Sequence, residues 1–188
     1  MHLVKVAVLG QENSGKTSLI HRLSHDRFVR THRPTIGIDM VLVLDQFKGN
    51  WLKFQVWDTA GQERFTSVIP VVMKNTRLIL FVVDLTSVSS VDLDDHWKII
   101  MDQKHTFVDD CIIVLVGNKA DINTKGHALC TQFAKDKKIK YVEVSAKTSI
   151  DLRWKLLLDH AESLLRYQTS VQIDETDREK CIKTSCFC

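Results

Sequence analysis

Residues 10–17 read Gly-Gln-Glu-Asn-Ser-Gly-Lys-Thr, a spacing typical of loops that bind phosphate groups. Backbone N–H groups in such a loop form an anion-binding nest, and the helix that follows points its positive end at the same place. Gly10 and Gly15 permit backbone angles and close approaches that a Cβ would prevent. In this pattern Lys16 reaches the β- and γ-phosphates of a nucleotide, and the Thr17 hydroxyl is a ligand for Mg²⁺.

The alternative, a chance Gly-rich turn before a helix, is disfavoured by the segments on either side. Residues 3–9 are an apolar run rich in Val, as expected of a buried strand. Residues 17–23 place Leu19, Ile20 and Leu23 at helical spacing. A strand, the loop and a helix N-terminus therefore follow one another. The residues predicted to bind nucleotide in this segment are Gly10, Glu12, Asn13, Ser14, Gly15, Lys16, Thr17 and Ser18.

A second motif indicates which base is bound. Asn118, Lys119 and Asp121 follow the apolar run 111–117, at the carboxyl end of a predicted strand, where open α/β sheets bind ligands. The Asp121 carboxylate can accept hydrogen bonds from both N1–H and the 2-amino group of guanine, whereas adenine has no such donor pair. We therefore expect a guanine nucleotide. Three residues that follow the next predicted strand are expected to contact the base from the same edge: Ser145, Ala146 and Lys147.

A third group of residues suits hydrolysis of the terminal phosphate. Residues 57–63, Trp-Asp-Thr-Ala-Gly-Gln-Glu, end another predicted strand, so that Asp58 is placed to hold Mg²⁺ indirectly. The Gly61 N–H can meet a γ-phosphate, and Gln62 can orient an attacking water. Thr35 lies in the predicted loop 30–37, within reach of Mg²⁺ and the γ-phosphate. The predicted catalytic residues are Gln62, Lys16 and Thr35, and the predicted metal-binding residues are Thr17, Thr35 and Asp58.

The elements that must position these residues alternate along the chain. Strand-like runs occur at 3–9, 38–44, 51–57, 78–84, 111–117 and 140–144, and helical spacing at 16–25, 91–103, 126–137 and 151–167. This order predicts an α/β fold with a mostly parallel six-stranded sheet and helices on both faces. Because no helix separates the two runs within 38–57, we expect a hairpin and one antiparallel edge strand there. Pro34 and Pro70 both fall in predicted loops.

Composition narrows the class of protein. A chain of 188 residues, 44% hydrophobic and 26% charged, suits one domain with a full core. A net charge of +3 without a basic run argues against nucleic acid as a partner. We expect no signal peptide, no N-myristoylation because position 2 is His2, and no segment approaching the ~20 apolar residues that span a bilayer. Cys111 and Cys130 are predicted to be buried thiols, and the cysteine spacing argues against a zinc site.

The apolar periodicity stops after Tyr167. We therefore predict a domain over 1–167 and a flexible tail over 168–188, since the alternative, a further amphipathic helix, would need an apolar stripe. Three cysteines occupy the last eight positions of the chain: Cys181, Cys186 and Cys188.

Jointly, these motifs resemble those of a small GTPase of the Ras superfamily. The resemblance covers about residues 3–167 and rests on 10–17, Thr35, 58–62, 118–121 and 145–147. It implies the G domain of a P-loop NTPase, which binds GTP or GDP with Mg²⁺ and hydrolyses GTP to GDP slowly. It also implies that Phe28 stacks on the guanine.

Within the superfamily the sequence is most similar to the Rab branch, through residues 36–39, 57–65 and the terminal Cys186-Phe187-Cys188. The Cys-x-Cys end implies two geranylgeranyl groups, and two lipid chains give stable membrane residence where one gives marginal anchoring. The alternative is a cytosolic tail with stray thiols. The resemblance implies a monomeric regulator of vesicle traffic on the cytoplasmic face of an intracellular membrane, cycling with the cytosol. Its partners would be effectors at about 30–45 and 57–76, an exchange factor, a GTPase-activating protein and a prenyl-carrier or dissociation-inhibitor protein.

The sequence departs from the Rab pattern in places. Residues 72–76 replace a Tyr-Tyr-Arg-Gly-Ala stretch and Met40 replaces an aromatic residue, so that only Trp57 of the aromatic effector surface is kept. Glu12 replaces a small residue of the phosphate loop, which supports a second interpretation: a GTP-binding module with impaired hydrolysis, switched mainly by nucleotide exchange. A metabolic kinase is disfavoured because Asp121 favours guanine and no Arg-rich lid segment occurs.

Overall fold

The computed structural model describes residues 1–28, 37–59, 69–122, 125–148, 152 and 156–165 of the chain. The strands are β1 (His2–Leu9), β2 (Ile38–Phe47), β3 (Asn50–Thr59), β4 (Leu78–Asp84), β5 (Ile112–Asn118) and β6 (Lys140–Glu143). The helices are α1 (Lys16–His25), α2 (Ile69–Met73), α3 (Ser90–Asp102), α4 (His127–Lys137) and α5 (Ala161–Leu165). Short 3-10 turns lie at Lys104–Thr106 and Leu158–His160.

All six strands form one sheet in the order β2-β3-β1-β4-β5-β6. The β2–β3 pair is antiparallel and the other four pairs are parallel, which confirms the predicted mixed sheet. The chain builds outward from β1 in both directions, so that the order reverses beside β1. Open α/β sheets bind ligands at the carboxyl ends of the strands next to such a reversal.

The predicted hairpin is confirmed, and its strands are longer than the apolar runs suggested. Phe47 pairs with Asn50, so that only Lys48 and Gly49 form the turn. Both turn residues have positive φ, 47° and 79°, as in the primed turns that match the twist of antiparallel strands. Because polar residues near a hairpin turn still pair through the backbone, the apolar pattern alone ends each strand too early.

The core lies on both faces of the sheet. On β1 the side chains of Val4, Val6 and Val8 pack with α1 and α5, whereas Ala7 and Leu9 face the opposite side. The opposite cluster contains residues of α3 and α4, which confirms helices on both faces. Strand β4 is buried along its whole length, as expected of a central parallel strand.

Three local expectations were wrong or incomplete. Pro70 was expected in a loop but is the second residue of α2, where the first turn of a helix tolerates proline because its N–H needs no helical partner. Cys130 is fully buried as predicted, whereas Cys111 is only partly buried. Of the single helix predicted over 151–167, the structure describes Leu152, Leu156 and the elements Leu158–His160 and Ala161–Leu165.

Some predictions lie outside the described residues, namely the loop at Pro34, the domain boundary after Tyr167 and the tail 168–188. In the part of the chain that is described, no helix has the length and apolarity to cross a bilayer.

Candidate nucleotide-binding site

The loop between β1 and α1 requires glycine at two positions. Gly10 has a φ of 141°, and a Cβ built on it would lie 1.9 Å from the carbonyl oxygen of Val82 on β4. Gly15 has a φ of 88°, and its Cβ would lie 2.3 Å from Nδ2 of Asn118. Both positions therefore combine a backbone conformation unfavourable to side chains with an approach too close for one. The glycines let the loop pass over β4 and beside the end of β5.

Lys16 is buried inside the curve of this loop. Its ammonium donates to the carbonyl oxygens of Gly10 at 2.9 Å and Gln11 at 2.6 Å, and the residue is 5% exposed. Burial lowers the pKa of Lys16 to about 8, and the negative charges of Asp58 and Glu12 oppose this shift. The cation is thus held at the point where the nest and the α1 N-terminus converge on an anion.

Two oxygen groups lie side by side at the start of α1 and the end of β3. The Thr17 hydroxyl donates to Oδ2 of Asp58 at 2.7 Å, and Asp58 is 3% exposed. The next residue, Thr59, donates from its hydroxyl to the carbonyl oxygen of Val8 at 2.8 Å and fixes the end of β3 against β1. A hydroxyl and a carboxylate suit Mg²⁺, which prefers oxygen ligands and keeps waters and substrate phosphates as its remaining ligands. The described residues contain no cluster of three or more His, Cys, Asp or Glu that would hold a metal without a substrate.

Asn118, at the end of β5, connects the two predicted parts of the site. Its Nδ2 donates to the carbonyl oxygen of Ser14 in the phosphate loop at 2.8 Å. Its Oδ1 accepts from the backbone N–H of Ala146 at 3.1 Å. Since the residue is 1% exposed, both hydrogen bonds are shielded from water. One buried side chain therefore sets the spacing between the phosphate loop and the predicted base loop.

Asp121 is held by the predicted base loop. The Ser145 hydroxyl donates to Oδ1 of Asp121 at 2.6 Å, and Nζ of Lys147 lies 3.7 Å from Oδ2. The same hydroxyl oxygen accepts from the backbone N–H groups of Lys147 and Thr148, each at 3.1 Å. The carboxylate is thereby oriented at the carboxyl edge of the sheet, as reading a base by hydrogen bonds requires.

Asp84 is a site residue that the motif analysis missed. Its Oδ2 accepts from Nζ of Lys119 at 2.7 Å, and its Oδ1 accepts from the backbone N–H and the hydroxyl of Thr86. Burial alone would raise the pKa of Asp84, but the hydrogen bonds from Lys119 and Thr86 outweigh it and hold the pKa below its usual value. A signal was present in the sequence, because Asp84 is a polar residue at the end of an apolar strand. Asn118 is likewise the last residue of β5, and Asp58 is the last but one of β3.

Arg22 is the second residue that was missed. It lies on α1, and its guanidinium donates to the carbonyl oxygens of Ala146 at 3.0 Å and Lys147 at 2.6 Å. Nothing in the spacing of Arg22 distinguishes it from an ordinary solvated arginine on an amphipathic helix. The contact appears only when the helix is placed against the loop.

The structure thus brings together the phosphate loop, Asp58, Asn118 and the base loop through these hydrogen bonds. Glu12 and Asn13 are exposed on the loop, Ser14 is fully buried, and Phe28 packs at the margin of the core cluster under α1. The site residues predicted from sequence that lie outside the described residues are Thr35, Gly61, Gln62, Cys186 and Cys188. Their roles stay predictions, as do the contacts of the whole set with a nucleotide.

The chain was compared with models of known protein families. The model described as the Ras family matches residues 5–161. The match begins within β1 and ends at the first residue of α5, so that it includes the phosphate loop, Asp58, Asn118 and the base loop.

Proposed function

The chain belongs to the Ras family of small GTPases, and from this premise we propose that it is a Rab-like regulator of vesicle traffic, switched by GTP and GDP. Members of this family bind guanine nucleotide with Mg²⁺ and hydrolyse GTP. The observation that carries the nucleotide-binding part of the proposal is the pair of hydrogen bonds made by Asn118, which join the phosphate loop to the base loop. The two halves of the site are therefore joined into one unit, as the binding of a single nucleotide requires.

The residues around the phosphates act by position and charge. The backbone N–H groups of residues 10–17 and the Lys16 ammonium would bind the phosphate oxygens and stabilise the charge that develops there during hydrolysis. Thr17 and Asp58 would hold Mg²⁺, which neutralises charge on the β- and γ-phosphates when bound. Gln62 would orient the attacking water, and Thr35 would reach Mg²⁺ and the γ-phosphate. The base would be read by Asp121, with Ser145 holding its carboxylate.

An exposed apolar surface on the β2–β3 hairpin supports a protein partner. Met40 and Leu42 are 40% and 45% exposed, and Met40 pairs in register with Trp57. Lys5 connects this surface to α2, because its ammonium lies 4.8 Å from the centre of a Trp57 ring and donates to the carbonyl oxygen of Val71 at 3.0 Å. GTP would order two segments, about 30–40 and 58–75, through Thr35 and Gly61, and this surface includes or adjoins both of them in sequence. An effector bound here would therefore sense which nucleotide is present.

The membrane step of the proposal rests on the tail. Two prenyl groups, on Cys186 and Cys188, would hold the protein on the cytoplasmic face of an intracellular membrane. A dissociation inhibitor that covers the lipids would return it to the cytosol. The tail follows the domain and need not contact the nucleotide, so that anchoring and binding can be separated by mutation.

A second function is favoured by Glu12. Its carboxylate is exposed, yet its negative charge acts on Lys16 and opposes the lowering of the Lys16 pKa by burial. A negative charge this close to the phosphate position would oppose the γ-phosphate and crowd the space for Gln62. The alternative is therefore a GTP-binding module that hydrolyses slowly and is switched by exchange.

Fractionation of cells that express the tagged full chain tests the traffic proposal. The parent and the matched control Cys181→Ser should pellet with membranes, whereas the double variant Cys186→Ser/Cys188→Ser should remain in the soluble fraction. All three should bind GTP with the same affinity. Unaltered pelleting of the double variant, or a soluble parent, would contradict a prenylated Rab-like protein.

A further inference from the structure

Arg22 links the helix of the phosphate site to the loop of the base site. Nε and Nη2 lie on one side of the guanidinium, and they donate to the carbonyl oxygens of two successive residues, Ala146 at 3.0 Å and Lys147 at 2.6 Å. The Arg22 side chain is 17% exposed, although it belongs to a type of residue that is usually solvated. Two parallel charge-assisted bonds from a planar fork fix both the position and the orientation of the loop.

The remaining nitrogen of the fork, Nη1, secures the end of the same helix. It donates to the carbonyl oxygen of Asp26 at 2.9 Å and lies 3.3 Å from Oδ1 of that residue. Asp26 ends α1 in a left-handed conformation, and its N–H returns to the carbonyl oxygen of Arg22 at 3.0 Å. Because Phe28 follows two residues later, Arg22 also fixes the point from which that side chain extends.

The loop that Arg22 grips is the one that orients the base-reading groups. On its other side Ala146 donates to Asn118, and Ser145 donates to Asp121. Arg22 therefore holds the loop from α1, while Asn118 at the end of β5 and Asp121 three residues later hold it as well. Lys16 begins α1, and a rigid helix places Arg22 about 9 Å further along the axis. The helix thus couples the phosphate end of the site to the base end.

We propose that Arg22 is a positioning residue that sets both the residence time of the nucleotide and its discrimination for guanine. This inference rests on the proposed guanine-nucleotide site. Without Arg22 the carbonyl groups of residues 146 and 147 lose the hydrogen bonds that fix the loop. Ser145, which lies in the same loop, then no longer holds the Asp121 carboxylate in one orientation. Lysine cannot substitute, because an ammonium on a flexible stem reaches one carbonyl and lacks the planar fork.

Dissociation rates of fluorescent GDP and IDP from the full chain test the proposal. IDP lacks the 2-amino group that Asp121 is expected to read, so that the ratio of the IDP rate to the GDP rate measures base discrimination. Arg22→Ala should release GDP roughly 10- to 100-fold faster, which corresponds to about one hydrogen bond to a charged group, because only part of the loss of two such bonds acts on the nucleotide. It should release IDP with a smaller increase, and the ratio should fall towards one. Arg22→Lys should remain impaired.

Asp26→Asn is the matched control, since it removes the exposed ion pair with Arg22 and keeps a residue that tolerates the left-handed conformation. Its rates should stay within about twofold of the parent. A role in packing alone would speed release of both nucleotides equally, so an unchanged IDP-to-GDP ratio in Arg22→Ala overturns the proposal. Full rescue by Arg22→Lys overturns it as well.

Two further outcomes are informative. If Arg22→Ala does not fold, the same rates are measured on Arg22→Lys, which keeps the charge and the apolar stem. Its ratio of IDP to GDP dissociation rates should still be lower than that of the parent. If the parent releases GDP and IDP at equal rates, the proposed guanine site fails and the inference fails with it. If the parent releases IDP faster than GDP and Arg22→Ala leaves that ratio unchanged, only the inference about Arg22 fails, and the proposed guanine site stands.

Discussion

Asn118 donates from Nδ2 to the carbonyl oxygen of Ser14 at 2.8 Å, across 104 positions of sequence. This hydrogen bond explains why two motifs that are distant in the chain act on one ligand. Gly15 is needed beside it, because a Cβ there would lie 2.3 Å from the same Nδ2 atom. The phosphate loop and the end of β5 are therefore built against each other.

Asn118→Ala should loosen the site as a whole. The substitution leaves the Ser14 carbonyl and the Ala146 N–H buried without partners, which costs about 1–3 kcal/mol for each group. We expect GTP dissociation to accelerate by at least about tenfold and the thermal midpoint to fall. Asn50→Ala, on the exposed first residue of β3, is the control and should change neither quantity. A variant of Asn118 that retains GTP as long as the parent would show that this side chain does not couple the loops.

Asp84→Asn should destabilise the domain in a pH-dependent way. The folded state holds the pKa of Asp84 below its usual value, so the carboxylate stabilises the fold at neutral pH, and this contribution is lost as the pH falls below about 4. At pH 7 the variant should lose about 1.5–3 kcal/mol, the range for a hydrogen bond to a charged partner.

Urea unfolding of the parent and Asp84→Asn at a series of pH values measures this difference. The gap between the two proteins should narrow as the pH falls through the folded-state pKa of Asp84. Asp95→Asn, on the exposed face of α3, should follow the parent at every pH. A gap that is constant with pH would mean that the charge of Asp84 contributes nothing.

Glu12→Gly should raise the rate of GTP hydrolysis. Glu12 would crowd the space that must admit the attacking water and Gln62, and a carboxylate about 6 Å from the γ-phosphate would add roughly 1–3 kcal/mol of repulsion per charge pair at intermediate dielectric. The gain should be larger with a GTPase-activating protein, because an arginine finger must enter the same space. Glu12→Gln separates charge from crowding, since it removes only the charge. Equal single-turnover rates for the parent and Glu12→Gly, with and without the partner, would contradict this expectation.

Much of the fold follows from local patterns in the sequence. The apolar run 78–84 coincides with β4, because a strand buried on both faces is apolar at every position. The five-residue helix α2 was missed because it is shorter than the two turns that a helical period needs and because it contains Pro70.

The motif residues of the site could be named from the sequence, since phosphate and base recognition require particular residue types at fixed spacing. The residues that hold them could not. Arg22 donates to carbonyl groups more than a hundred positions away in sequence. Neither its residue type nor its spacing on α1 indicates which groups its guanidinium contacts. Lys119 is part of a motif, but its partner Asp84 is defined only by the pairing of β4 with β5.

The most direct measurement is a competition between GTP and xanthosine triphosphate on the parent and Asp121→Asn. In the variant, the carbonyl oxygen of the new side-chain amide can still accept from Ser145. Its NH₂ group can donate to the carbonyl that xanthine carries in place of the guanine 2-amino group. The parent should prefer GTP by about 10⁴ or more, and the variant should lose GTP affinity and prefer xanthosine triphosphate. If the variant keeps the parent's preference for GTP, Asp121 does not read the base and the proposed guanine site is wrong.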